Sequence, residues 1–152
     1  MKILVNIVFL IIIIYNLMKR KHNLFKANIP KTSIIATLLL LVVGFVIWYI
    51  NDKSILGVIT LLSATVFFIS FFSAIGINEK FFNSFMANSI VILSVPYSEI
   101  SNITIKKKGN SLYLKIKAHG YEFLQQYNLE LEKEIIKFIS SRLKPSILRI
   151  EE

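Results

Sequence analysis

Three uncharged apolar runs, residues 3–17, 33–50 and 55–75, fill most of the first half of the chain. No water-soluble fold of this size needs three such runs in succession. A helix of about 20 apolar residues crosses the ~30 Å hydrocarbon core of a bilayer. The third run is long enough outright. The second ends in Trp48-Tyr49, an aromatic pair suited to a membrane–water interface. The first would cover only ~22 Å as a helix, but Met1 and Met18 extend it. Lys2 before an apolar stretch also resembles the start of a secretory signal. No small-residue cleavage pattern follows, and the basic cluster lies after the run, so it reads as a retained span. The expectation is a membrane region, 1–75, with spans at about 2–18, 33–50 and 55–75 and a basic loop at 19–32.

Charge sets the orientation. The chain carries 18 Lys and Arg against 9 Asp and Glu, a net charge of +9. Lys19, Arg20, Lys21, Lys26 and Lys31 lie between the first two runs with no acid among them. Asn51-Asp52-Lys53-Ser54, between the second and third, is balanced. Basic loops stay on the cytoplasmic side. The N-terminus and residues 51–54 are therefore expected outside a cell membrane, with residues 76–152 in the cytoplasm. The same cations suit anionic lipid headgroups. They punctuate apolar segments, which makes nucleic acid a poor partner. With no cysteine present, disulfides, thiol catalysis and thiolate metal sites are excluded.

After Ile75 the period changes. Residues 81–87 have strand character, and 89–95 form a β-branched run. Ile103 and Ile105 alternate with Thr104 and Lys106. Leu112, Leu114 and Ile116 alternate with Tyr113, Lys115 and Lys117, and Tyr121 and Phe123 share a face. Lys108-Gly109-Asn110 and Ala118-His119-Gly120 supply turn residues. This is an antiparallel meander with one buried side. From Asn128, a credible N-cap, Leu131, Ile135, Ile139 and Leu143 recur at spacing four, the stripe of an amphipathic helix over 128–144. Pro145 stops it, leaving 145–152 as a tail.

Residues 76–143, with "GINEKFF", "SIVILSVPYSEISNITI", "SLYLKIKAHGYEF" and the closing helix, resemble the PH-like domains of small bacterial membrane proteins. Pro96, Tyr97 and Ile100 match the corner of that family, although the stretch is short for its full set of strands. The fold class expected is three transmembrane helices plus a small cytosolic PH-like domain at 76–144. That domain would be an antiparallel sandwich or open barrel closed by a C-terminal helix.

The resemblance implies headgroup contacts at a basic hairpin, here Lys106, Lys107 and Lys108. With Lys19, Arg20 and Lys21, these are the candidate anionic-lipid residues. Edge-protecting lysines on a solvated turn are the plainer reading of the hairpin set. His22 and His119 stand alone, and no phosphate loop or nucleophile motif is present. Neither enzyme activity nor a metal or cofactor is expected. Some similar proteins confer self-immunity against cationic membrane-active bacteriocins, and an Ile-, Lys- and Asn-rich composition suits an AT-rich Gram-positive bacterium. Self-immunity, with the bacteriocin peptide as partner, is thus the most specific expectation. The alternative is an accessory or scaffold subunit that binds a membrane-protein partner of a transporter or envelope system.

Overall fold

The computed structural model of the chain describes residues 1–85 and 92–151. Three helices come first: α1 (Lys2–His22), α2 (Lys31–Asn51) and α3 (Ile55–Ser73). All three are long and apolar enough to cross a membrane, with mean hydropathies of 2.0, 2.6 and 2.4. They give the chain the character of a multi-pass membrane-associated protein. Most of their apolar side chains stay exposed, including Leu38, Leu39, Val42, Val43 and Ile47 of α2. Such faces suit lipid better than water as solvent.

α1 is longer than its apolar run because Lys and Arg are good helix formers. Lys19–His22 also place positive charge at the carbonyl end of the helix dipole. Only residues 23–30 remain non-helical between α1 and α2, fewer than the loop 19–32 read from charge. α3 packs against both α1 and α2. Its N-terminus is capped by Ser54, whose Oγ accepts from the Gly57 amide at 3.0 Å. The α2–α3 hairpin is tight: a Cβ on Gly57 would meet the Asp52 carboxylate and the Trp48 ring. Trp48 Nε1 donates to the Ser54 carbonyl at 2.9 Å, and Lys2 pairs with Asp52, fastening the start of α1 to the hairpin.

Along the α1–α3 contact, Asn6 Nδ2 donates to Thr60 Oγ1 at 3.1 Å and Asn16 Nδ2 to Ser70 Oγ at 3.2 Å. Between these rungs Phe9 stacks on Phe67. Each contact joins a residue of α1 to one farther along α3 in the same order, so the two helices run parallel.

Two four-stranded sheets follow. The first has the order β1 (Phe25–Lys26), β2 (Gly76–Ile77), β3 (Phe81–Ser84), β4 (Leu93–Pro96), all antiparallel. The second has the order β7 (Tyr121–Asn128), β6 (Ser111–Ala118), β5 (Ile100–Lys108), β8 (Leu148–Glu151). Gly109 (φ 59°) and the pair His119 (φ 53°) and Gly120 (φ 77°) make the hairpin turns of the second sheet. Left-handed backbone is what short hairpin loops demand. Ile77, Phe82 and Val95 from the first sheet meet Ile103, Ile105, Leu112, Leu114 and Ile116 from the second in one core. Ile135 and Ile139 of α4 (Glu132–Ser140) close it.

Three sequence expectations are corrected. The C-terminal helix is nine residues long, not the full 128–144. Asn128 caps a 3-10 turn at Leu129–Leu131 instead of an α-helix. At the other end, the hydroxyls of Ser140 and Ser141 bond to the Ile136 and Phe138 carbonyls, where serine competes with the helical ladder. Residues 148–151 are not a free tail, because β5 has an open edge that β8 fills in parallel. A strand from the basic loop, β1, completes the first sheet, so the domain does not begin at Gly76. The ends of the expected strands at 81–87 and 89–95 lie partly outside the described residues.

Two outcomes are expected. Ile135 is fully buried, and a lone buried charge costs several kcal/mol, comparable with a small domain's whole stability of ~5–15 kcal/mol. Ile135→Asp should abolish the cooperative unfolding of the β domain in the full-length protein, whereas exposed Lys133→Asp should not. Wild-type unfolding by Ile135→Asp would refute the packing.

The second outcome concerns the hairpin. Hydrogen bonds from Lys2 and then Ser54 hold the Asp52 carboxyl below its usual pKa. A depressed folded pKa stabilises at pH above the unfolded value and loses that contribution as pH falls through the folded one. Trp48, the single tryptophan, should therefore shift its emission only below the ordinary carboxylate value of 3.8. Asp52→Asn should show the shifted emission already at neutral pH.

Candidate functional site

The members of each basic triplet go to different partners. Along a strand, successive side chains point to opposite faces, so Lys107 faces away from Lys106 and Lys108. Lys106 pairs with Glu151 of β8 at 2.5 Å, and Lys107 pairs with Glu132 at the start of α4 at 2.7 Å. Both fasten elements to β5. Lys108 is exposed. The other set is split too. Lys19 reaches the Ser94 hydroxyl and lies 5.3 Å from the Tyr15 ring centre, Arg20 Nη1 donates to the Ser73 carbonyl at 3.3 Å, and Lys21 is exposed.

What the structure builds instead is a polar junction between the helix ends and the first sheet. Asn23, which ends α1 in an extended conformation, is buried. Its Nδ2 donates to the Ala74 carbonyl at 2.9 Å, and its Oδ1 accepts from Asn83 Nδ2 at 2.6 Å. Asn83 Oδ1 in turn accepts from Ser94 Oγ at 2.7 Å, and the Asn83 carbonyl accepts from Gln125 Nε2 at 3.0 Å. Lys19, Ser94, Asn83 and Asn23 therefore form one connected chain.

The backbone is tied in parallel. The Leu24 amide donates to the Ile77 carbonyl, that of Ala27 to Ile75, and that of Asn28 to Gln126 of β7. Gly76 is required here, since an added Cβ would lie 2.4 Å from the Phe25 carbonyl oxygen. Tyr97 donates to the Asn78 carbonyl at 2.7 Å, and Asn78 Nδ2 to that of His22 at 2.6 Å. Burial pushes the Tyr97 phenol up, against the pull of Arg142, and also raises Tyr127, which donates to Gln125 Oε1. Both phenols thus remain neutral donors at physiological pH.

Beside this junction lies a cleft of about 280 Å³ between the last turns of α1 (Tyr15, Met18, Lys19) and strands β3 and β4 (Phe81, Asn83, Ser94). Among the described residues, no three metal-ligating side chains come together. His119 faces Glu99 at 2.7 Å on the surface. The arrangement can bind and orient.

None of Asn23, Asn78, Asn83 or Ser94 was singled out from sequence. A signal exists for Asn83, a lone amide inside the aromatic "FFNSF". In the helices the ten-residue step from Asn6 to Asn16 matches that from Thr60 to Ser70.

Removing one partner from a buried hydrogen bond costs ~1–3 kcal/mol for each group left unpaired. Asn23→Leu should orphan the Ala74 carbonyl and the Asn83 amide together. Hydrogen exchange at the Leu24 and Ala27 amides is then expected to accelerate at least tenfold, while amides of the β5–β6 ladder hold. Unchanged protection would show that the junction does not depend on Asn23.

Comparison with known protein families and with curated proteins finds no match to this chain.

Proposed function

We propose that this is a non-enzymatic integral membrane protein, an accessory scaffold that holds a PH-like domain at fixed orientation against the cytoplasmic face of a cell membrane. One observation carries the reading. A strand from the α1–α2 connection is part of the domain's own sheet, and Asn23 closes the joint. A domain attached only by a linker after α3 would turn freely; this one is anchored by two separate segments. Two sheets around one core with a closing helix support the PH-like comparison. The basic α1–α2 connection supports the inward orientation. A rigidly held β surface suits recognition of a membrane-protein partner. Leu124, 67% exposed between Lys115 and the neighbouring polar residues of β7, is the natural contact point.

The net charge of +9 favours a second reading, self-immunity against a cationic membrane-active bacteriocin. Repulsion would have to act at the outer end, where Asp52 already neutralises Lys2 and Lys53 is the remaining basic side chain. The scaffold reading is preferred for that reason.

Impermeant labelling of intact cells should modify Asn51→Cys and spare Asn110→Cys; the reverse pattern would invert the topology. Expressed alone in a bacteriocin-sensitive strain, a scaffold should leave the killing concentration unchanged. A photocrosslinker replacing Leu124 should give one discrete adduct in native membranes, lost when Lys115 is changed to Glu. Protection by the lone protein, with no adduct, would replace the scaffold with the immunity reading.

A further inference from the structure

Among the lysines near the helix ends, Lys19 has an unusual setting. It is half-buried, lines the junction cleft, and forms no ion pair among the described residues. An ammonium group has three donors. One goes to the Ser94 hydroxyl and the Tyr15 ring covers another side. Among the described residues no carboxylate lines the cleft, and His22 and Asn78 add further polar groups at its rim. A half-buried cation lacking a counter-ion is a receptor for an anion.

The rest of the cleft says which kind of anion. Tyr15, Met18 and Phe81 give it an apolar wall, and Met18 is 57% exposed. Upstream of Tyr15, α1 carries only apolar side chains back to Asn6, with Leu10, Ile11 and Ile14 exposed. Lys19 therefore sits where a hydrocarbon layer would give way to headgroups. A free phosphate would leave the apolar wall unused. A glycerophospholipid uses both parts, with its phosphate at Lys19 and its acyl chains along the exposed face of α1.

We infer that the cleft between the end of α1 and strands β3–β4 is a binding site for one anionic glycerophospholipid, with Lys19 as the phosphate-binding cation. The site stands independently of any protein partner, so its failure would leave the scaffold reading intact. A zwitterionic choline lipid is disfavoured, because its quaternary ammonium brings a second positive charge toward Lys19 and adds no hydrogen-bond donor.

The test uses native mass spectrometry of the full-length protein in detergent, with phosphatidylglycerol or phosphatidylcholine supplied at equal mole fraction. One phosphatidylglycerol should be retained in preference to phosphatidylcholine. Lys19→Gln should lower its retention roughly fivefold, the equivalent of about 1 kcal/mol for one basic residue at an anionic surface. Lys19→Arg should keep it, and Lys53→Gln at the far end should not change it. Phe81 is partly exposed, so Phe81→Glu places a like charge at the cleft mouth without touching the hydrogen-bonded chain. It carries the test if Lys19→Gln fails to fold, and it should also expel the lipid. Equal retention of the two lipids, or undiminished retention in Phe81→Glu, overturns the proposal. Displacement of the lipid by excess inorganic phosphate would also overturn it, assigning the cleft to a free anion.

Discussion

The carbonyl groups that follow α3 have to be satisfied where a helix stops and apolar surface continues on every side. Four of them, those of Ser73, Ala74, Ile75 and Ile77, are met from a single short stretch: Arg20, Asn23, Ala27 and Leu24. A buried polar group without a partner costs ~1–3 kcal/mol. This one set of bonds therefore decides whether α3 can end at Ser73 and turn directly into a strand. Once it does, β2 is in register with β1, β3 with β2 and β4 with β3. The domain is registered from the helix ends outward, and Asn23 is the side chain that joins the two systems.

The contact between α1 and α3 follows a different logic. Interhelical hydrogen bonds in a membrane average only ~0.6 kcal/mol in measured cycles. The Asn6–Thr60 and Asn16–Ser70 bonds thus add little stability. They do penalise rotation, since turning either helix would part each amide from its hydroxyl partner. Packing by Phe9 on Phe67 supplies contact, and the amides fix which faces meet. That rotation in turn places Lys19, on the same helix, over β4.

How much of this could be read in the sequence depended on whether the signal was periodic. Long apolar runs announced three helices. Alternation around Gly109 and Gly120 announced β5, β6 and β7, because a period of two survives over eight or nine residues. β1 has only two residues, Phe25 and Lys26, and no pattern can show in so short a strand. It exists because β2 offers an edge. β8 is similar: Leu148 and Ile150 look like any tail until β5 is seen to lack a neighbour. The spacing-four stripe over 128–144 was a true record of burial, since Ile135, Ile139 and Leu143 do enter the core. It was a poor record of helix length, because Leu131 and Leu143 reach the same core from a turn and from irregular chain. The basic triplets at 19–21 and 106–108 carry no period either. Adjacent positive charges look like a cluster on paper, but strand geometry and helix ends send them to different partners.

Those partners also separate Lys19 from the ion-paired lysines of the second sheet. Lys106, Lys107, Lys115 and Lys117 pair with carboxylates at exposed positions, where an ion pair contributes ~0–1 kcal/mol and salt screens it. Lys19 rests instead against an aromatic ring and a hydroxyl at the edge of an apolar wall. Coulombic attraction grows as the effective dielectric falls. The same single charge therefore attracts an anion more strongly here than on an open strand, and dissolved salt screens it less. A domain docked rigidly enough to keep Ser94 over Lys19 preserves that environment. The Asn23 joint and the character of the cleft are thus one design: loosen the first and Lys19 becomes another solvated cation at a helix end.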